Sequence, residues 1–411
     1  MQAAHTPNLD RLARMGGNGL FHAACMGQCL PSETAHYLLF GYEPALFPGR
    51  GLLETVGEGV PFSDDDVLSL AHLSGVVWQE GIPILSQGRK DIKGDAGEIG
   101  RLYSALTPYA SEGIRFNLHQ TGPNDAILVM SGPVSPHISD ADPMIIGMPL
   151  AEVLPLAGNP EPENAERTAC ALNQYLSHCH TILLQHDINR DRVEAGLPAA
   201  NFLATQRAGR RIVQESFSDK WGLKGMVIAS GAMYMGLARE LGLTPVKVAD
   251  GKDPGEDLKE RIRMALSDRD HDFIHVHTKA PDQAAHTKEP ARKREVIDRL
   301  DRGLDELVEA VEQRDDLLVV VTADHSTPSC SALIHSGEPV PVCLIGPEVR
   351  QDEVTAFDEI SAAAGCLGLL RGEELMLMIL NYSGRAVLVG HRLGDVERRY
   401  VPKSYKPFQL K

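Results

Sequence analysis

LLVVVTADHSTPSC, residues 317–330, runs an apolar, strand-like segment straight into an adjacent acid and imidazole, Asp324 and His325, and then into a Ser-Thr-Pro turn. A buried strand does not usually end on two costly polar groups unless hydrogen bonds or a metal ion compensate them. Around it the second half of the chain alternates. KGMVIAS (224–230), DFIHVHT (272–278) and PVPVCLIG (339–346) read as buried strands. RKREVIDRLDRGLDELVEAVEQR (292–314) reads as an amphipathic helix with Ile297, Leu300, Leu304, Leu307 and Val311 on one face. Strand, helix, strand predicts an α/β fold with a parallel sheet covered by helices on both faces. Such sheets bind ligands beyond the carboxyl ends of their strands, which is where Asp324 and His325 fall.

The first half is less regular. MQAAHTPNLDRLARMG opens on a helix, with a Thr-Pro start, Leu9, Leu12 and Met15 at helical spacing, and Gly16 and Gly17 closing it. VVW (76–78), AILVMSG (126–132) and HTILLQH (180–186) are expected strands, AERTACALNQYLSH (165–178) a helix, and AGNPEPENAER (157–167) an exposed loop. No internal repeat or low-complexity segment interrupts the chain.

At 411 residues the chain is long enough for two domains. It is 43% hydrophobic and 23% charged, and none of its apolar runs reaches the roughly 18 residues of a membrane span. A net charge of −16 argues against nucleic acid or an anionic membrane as partner, since both are bound through clustered Lys and Arg. Seven scattered cysteines suit a reducing cytoplasm better than a disulfide framework. Cys25 and Cys29 in CMGQC lack a second pair at zinc-ligand spacing and read as reduced packing residues. Nothing in the pattern signals an oligomeric state.

Two further segments bring acid and imidazole together. KAPDQAAHTK places Asp282 and His286 four residues apart, on one face of a helical turn, and LIHSGEPVP adds His335 in a loop before the next strand. Three separate strand ends thus deliver Asp and His, a donor set suited to Zn, Mn, Co or Fe rather than calcium. Ser32, in QCLPSETAHYLLFGYEP, sits where a turn feeds a helix, so it reads either as an N-cap or as a nucleophile whose hydroxyl a metal activates.

In order along the chain, TPNLDRLA, PSETAHYLLFGYEP, GRGLLETVGEGV, ISDADP, NRDRVEAGLPAAN, WGLKGMVIA, KAPDQAAH, TADHSTP and HSGEPVPV resemble the alkaline phosphatase superfamily and, within it, the cofactor-independent phosphoglycerate mutases of archaeal type. The resemblance covers nearly the whole chain. It implies an alkaline-phosphatase-like α/β sheet built from residues 1–74 and 221–411, with a smaller α/β domain inserted over 75–220. It also implies phosphoryl transfer through a serine lying between two divalent metal ions (Mn, Zn, Mg or Co), on a small anionic phosphorylated or phosphonylated acid. Carried over by position, Asp282, His286 and His335 look like ligands of one ion, and Asp324, His325 and Ser32 like ligands of the other. Lys279 would stabilise phosphoryl charge, and Arg207 and Arg190 would bind substrate.

The chain departs from that pattern in three places. The family's arginine-rich DRRAGR segment has KDIKGDAGEIGR (90–101) as its best counterpart, and a family His-Arg before a strand is replaced by Asn124-Asp125. Guanidinium groups are the side chains best shaped for carboxylate and phosphate. Their loss leaves open a phosphohydrolase or a mutase of another phosphate or phosphonate acid, and a non-catalytic binding protein. The third departure is at the start. The family has a strand, with a ligand aspartate just after it, before TPNLD, whereas this chain has the five residues MQAAH before Thr6, and Asp10 reads as a solvated helix residue. The expectation is that the natural reading frame begins upstream of Met1. Without that strand, a slot beside residues 317–325 would expose apolar surface.

Overall fold

The computed structural model describes residues 1–410, with Ala96 described by its backbone alone. Residues 1–47 and 214–411 form one compact unit and residues 48–213 another. The divide lies at 47/48 and 213/214 rather than at 74/75 and 220/221. Residue 74 is inside the strand Val67–Gln79, which pairs with strands of the 48–213 unit. Residue 220 is inside the helix Phe217–Trp221, whose Trp221 is buried and donates its indole N–H to the Phe40 carbonyl at 2.9 Å.

The unit made of both chain ends holds two sheets. Gly225–Ala229 leads through helix Ala232–Glu240 to Thr244–Lys247, and then through helix Pro254–Ser267 to Phe273–Val276. These three strands pair in parallel, Gly225–Ala229 in the middle, as successive strand-helix-strand units should. The second sheet has the order Val319–Val321, Val340–Ile345, Gly17–His22, Gly368–Arg371 and is mixed: Val340–Ile345 runs antiparallel to both neighbours. Gly17–His22 was not an expected strand, because GNGLFH lacks apolar alternation. Its glycines serve close approach instead: a Cβ on Gly19 would come within 2.5 Å of the Gly368 carbonyl oxygen.

The segment expected as one helix over 292–314 is two, Pro290–Arg302 and Asp305–Gln313. Gly303 separates them, and a Cβ there would lie 2.3 Å from the Gly255 carbonyl oxygen. Leu304 and Val308 still reach the core formed with Leu9, Leu12, Ile345 and Phe357.

Phe273–Val276 and Val319–Val321 are each the edge of their sheet, with one paired neighbour apiece among the described residues. Both are half-buried along their length, whereas Gly225–Ala229 and Val340–Ile345 are buried throughout. Phe273 and His277 donate their N–H groups to Lys224 and Ile228. By strand alternation the amides of Ile274 and Val276 therefore face the unpaired side. Hydrogen exchange followed by NMR should show Ile274 and Val276 exchanging roughly tenfold or more faster than Phe273 and His277. Equal protection at all four would mean that this edge is covered.

The 48–213 unit is a six-stranded sheet ordered Ile82–Gln87, Val67–Gln79, Asp125–Ser131, Ile114–Gly122, Tyr109–Ser111, with Phe202–Gly209 also paired to Val67–Gln79. Every pairing is antiparallel. Helix Pro162–Gln185 packs Leu172, Tyr175, Leu176 and Leu183 into a core with Leu73, Phe116, Leu128 and Met130. HTILLQH, expected as a strand, is the end of this helix, and the helix begins inside the segment expected as a loop. A short apolar run does not by itself distinguish a strand from a buried helical turn. Asn124 is buried and ties the unit together: its amide accepts from Leu73 N and Tyr103 Oη and donates to the carbonyls of Leu73 and Arg89. Asp125 pairs with Arg89. The Asn-Asp pair thus does structural work.

Candidate metal centre

Ser32 is the first residue of helix Ser32–Leu39 and is 8% exposed. Its Oγ lies 3.0 Å from His325 Nε2, although the two residues are 293 apart in sequence. His325 follows the Val319–Val321 strand, Asp282 and His286 lie on helix Ala280–His286 after the Phe273–Val276 strand, and His335 lies in the loop before Val340–Ile345. Two sheets therefore deliver their strand ends to one place, as the sequence pattern implied.

Candidate ligand atoms of Asp282, His325 and His335 all lie within 4.8 Å of one another. Asp282 Oδ1 is 3.1 Å from His286 Nε2 and 3.5 Å from His335 Nε2. The rings of His325 and His335 stack at 3.8 Å. On the other side, Asp324 Oδ2 is 3.2 Å from His325 Nε2 and 3.2 Å from His36 Nδ1. The two expected ligand sets thus meet at His325, which touches Ser32 and Asp324 and also joins Asp282 and His335. Lys279 immediately precedes the Ala280–His286 helix, and its charge helps hold Asp282 ionised.

The loops that carry these groups are fastened. His335 Nδ1 is 2.7 Å from the Leu30 carbonyl, two residues before Ser32. A Cβ on Gly337 would overlap the Gly27 backbone at 2.1 Å, so only glycine lets the His335 loop approach that turn. Lys288 Nζ donates to the carbonyls of Pro328 and Leu333, and Lys293 Nζ to that of Thr327.

The electrostatics ask for a cation. Burial drives the Asp324 carboxyl upward, but the nearby charge of His36, with His325 and His277, outweighs it and holds the group far below the usual carboxylate range. Its Oδ2 is sealed from solvent and accepts no aligned hydrogen bond. Burial likewise opposes ionisation of Asp282, yet the hydrogen bond from His335, the His286 charge, Thr327 and Lys279 bring it down to about 2. Burial lowers His286 and His325, which favours neutral, metal-ready imidazole. A sealed Asp324 oxygen and a half-buried Asp282, both held ionised among imidazole rings, fit a bound divalent ion.

Four residues at the site escaped the sequence reading. His36 lies one helical turn after Ser32, its Nδ1 2.9 Å from the Ser32 carbonyl. His277 and His275 alternate on their strand and both turn their rings toward His36, at 4.9 and 5.3 Å. Thr327 bridges Asp282 and His325. The i,i+4 and i,i+2 spacings were visible signals; the hydroxyl of Thr327 was not.

Arg207 and Arg190 belong to the 48–213 unit. Arg207, in strand Phe202–Gly209, has φ +57 and donates its backbone N–H to Asp140 Oδ1 at 2.6 Å. Left-handed backbone at a non-glycine residue is uncommon and clusters at ligand sites. Arg190 is exposed on helix Asp187–Glu194 and pairs with Asp187. Cys25 and Cys29 are free and exposed.

The Metalloenzyme superfamily model matches residues 1–382. A 2,3-bisphosphoglycerate-independent phosphoglycerate mutase of Methanocaldococcus jannaschii is 40% identical, over 98% of this chain and 92% of its own length. The solved structure of a Pyrococcus horikoshii protein superposes with a TM-score of 0.74 at 24% identity, covering 95% of this chain and 93% of that one. A cofactor-independent phosphoglycerate mutase from Thermoplasma acidophilum does so with a TM-score of 0.58 at 28% identity, covering 93% of each chain. With matches of that extent across both compact units, the chain belongs to the metalloenzyme superfamily and, within it, to the 2,3-bisphosphoglycerate-independent phosphoglycerate mutases.

Proposed function

We propose that the chain is a metal-dependent phosphomutase that moves a phosphoryl group between two hydroxyls of a small phosphorylated acid, by way of a phosphoserine at Ser32. The observation that carries the reading is the meeting of a nearly buried serine hydroxyl with His325, beside the Asp282, His325 and His335 cluster and the sealed carboxylate of Asp324. Two divalent ions (Mn, Zn, Mg or Co), one held by Asp282, His286 and His335 and one by Asp324, His325 and Ser32, would supply the Lewis acidity that activates a hydroxyl and neutralises phosphoryl charge.

The chain's own residues do the rest. Ser32 Oγ gives up its proton and attacks phosphorus, and the substrate oxygen leaves and takes up a proton. The dephosphorylated acid turns, its other hydroxyl gives up its proton and attacks the phosphoserine, and Ser32 Oγ leaves and is reprotonated, so atoms balance without water. Lys279 stabilises the charge in transit, and the first-turn amides of helix Ser32–Leu39 favour an anion at Ser32. Arg207, held in place by Asp140, is the cation proposed for the acid's carboxylate, with Arg190 as a weaker companion because it is exposed and paired. A cytoplasmic location is supported by the seven unpaired cysteines.

A second reading, a phosphohydrolase or a mutase of a different phosphate or phosphonate acid, is supported by the charges of the 48–213 unit being used internally. Arg89 is paired with Asp125, and Arg192, 3% exposed, with Glu98. Phosphorus NMR on the cation-loaded protein separates the readings. Interconversion of 3- and 2-phosphoglycerate with no inorganic phosphate is the expected result. Phosphate released as fast as substrate disappears would make it a hydrolase, and turnover confined to other three-carbon phosphates or phosphonates would reassign the substrate.

A further inference from the structure

We propose that Thr327 is a positioning residue that sets the tautomer of His325, and with it the nitrogen lone pair facing Ser32. Thr327 is 5% exposed, two residues beyond His325. Its Oγ1 lies 2.9 Å from Asp282 Oδ1 and 3.2 Å from His325 Nδ1. An ionised carboxylate can only accept, so the single hydroxyl proton of Thr327 goes to Asp282. Lone pairs are all that Oγ1 then offers His325, whose Nδ1 must carry the ring proton and donate it. Nε2 is left unprotonated, 3.0 Å from Ser32 Oγ.

A competing pull makes this assignment consequential. Asp324 Oδ2 is 3.2 Å from the same Nε2, and a carboxylate there favours a proton on that nitrogen. The contact is misaligned, and Oδ2 accepts no hydrogen bond. The Thr327 hydroxyl therefore decides the balance. Its own position is fixed: the β-branched side chain has few rotamers, and Lys293 Nζ donates to its carbonyl at 2.7 Å. His335 needs no such device, because its Nδ1 already faces a backbone carbonyl, that of Leu30. One hydroxyl thus joins the Asp282 helix to the His325 loop and keeps Nε2 free to act as a ligand.

The consequence for metal binding rests on the proposed function, but the tautomer can be read without it. In the metal-free, ¹⁵N-histidine-labelled chain at pH 8 with chelator, His325 is expected to show a protonated Nδ1 and an unprotonated Nε2. Thr327→Val, which keeps the shape and removes the hydroxyl, should move the proton to Nε2, and Thr327→Ser should leave it on Nδ1. Zinc affinity, measured by chelator competition, should fall about 10- to 100-fold in Thr327→Val and only slightly in Thr327→Ser. A wild-type His325 protonated at Nε2 overturns the proposal without any variant, as does a Val variant whose tautomer does not move. The expected tautomer shift in a chain that binds no zinc would support the role of Thr327 while removing the metal-dependent reading of the site.

Discussion

Ser32→Ala is expected to lower turnover by roughly ten-thousandfold or more while leaving the fold and metal binding by Asp282, His286 and His335 in place. The size follows from the role: among the described residues no other hydroxyl is hydrogen-bonded to His325 Nε2, and the two-step transfer cannot begin without an oxygen to hold the phosphoryl group. The mildness for folding follows from the position. Pro31, with φ −75 and ψ 153, is the residue flanking the helix start, and Ser32 is already inside the helix and makes no side-chain capping bond. Removing its hydroxyl therefore forfeits no cap, and alanine is the better helix former. The carbonyl that faces His36 Nδ1 is backbone and survives the change. Initial rates of phosphoglycerate interconversion, set beside urea midpoints and zinc titrations of both proteins, give the comparison. A variant that kept more than a few per cent of the rate would exclude the phosphoserine route. One that lost both rate and zinc would place Ser32 in the structure of the site rather than in its chemistry.

Much of this was legible because strand ends in α/β sheets mark ligand sites, and because acid-imidazole pairs are too costly to bury without purpose. Asp324-His325, Asp282 with His286, and His335 could all be found that way. Distribution between the two proposed ion sites was less legible, since it depends on which ring nitrogen faces which oxygen: His325 touches both sets. Secondary contacts were hidden for the same reason. Thr327 was part of the first motif quoted, yet nothing in STP says that its hydroxyl reaches Asp282, 45 residues away in sequence. Asn124-Asp125 was legible only in part. The missing guanidinium groups could be read from the sequence, but not that the pair serves as a backbone hub and a partner for Arg89. One source of fold error was that apolar content does not report periodicity in short runs. HTILLQH was taken for a strand, and the strand Gly17–His22 was missed because its glycines, set for close backbone approach, break the apolar alternation.

The site should also make the protein lose stability in mildly acidic solution, before its carboxylates protonate. Burial, reinforced by the His36 charge and only partly opposed by Asp324, lowers His275 to about 3, and burial with the same neighbours puts His277 well below its usual value. His275 sits on the half-buried edge strand and His277 directly follows it, but His275 Nε2 and His277 Nδ1 are sealed and unpartnered. In the unfolded chain each ring takes up a proton near pH 6.5. Below that pH the unfolded state binds more protons than the folded one, so stability falls as pH falls, by up to about 1.4 kcal/mol per pH unit for each ring, until the folded value is reached. For His275 the full loss approaches roughly 5 kcal/mol, a large share of the stability of an ordinary domain. The other groups act in different windows. Asp282 and Asp324 are depressed, so their contribution is present above about pH 4 and is lost only below it. His335 is raised by Asp282 and the Leu30 carbonyl against the effect of burial, so its contribution is complete below about pH 6.5 and disappears as pH rises through its folded value. His286 and His325, lowered by burial, add to the same acid slope, which is why a variant is needed to isolate one ring. His275→Phe keeps an aromatic ring against Phe40 and His36, at 5.1 and 5.3 Å in the parent, and removes the orphaned nitrogen. Urea unfolding with chelator between pH 6.5 and 4.5 should show its slope of stability against pH reduced by about one proton, with the variant more stable than the parent at pH 5. Parallel curves for the two proteins would show that His275 is not held neutral by the fold.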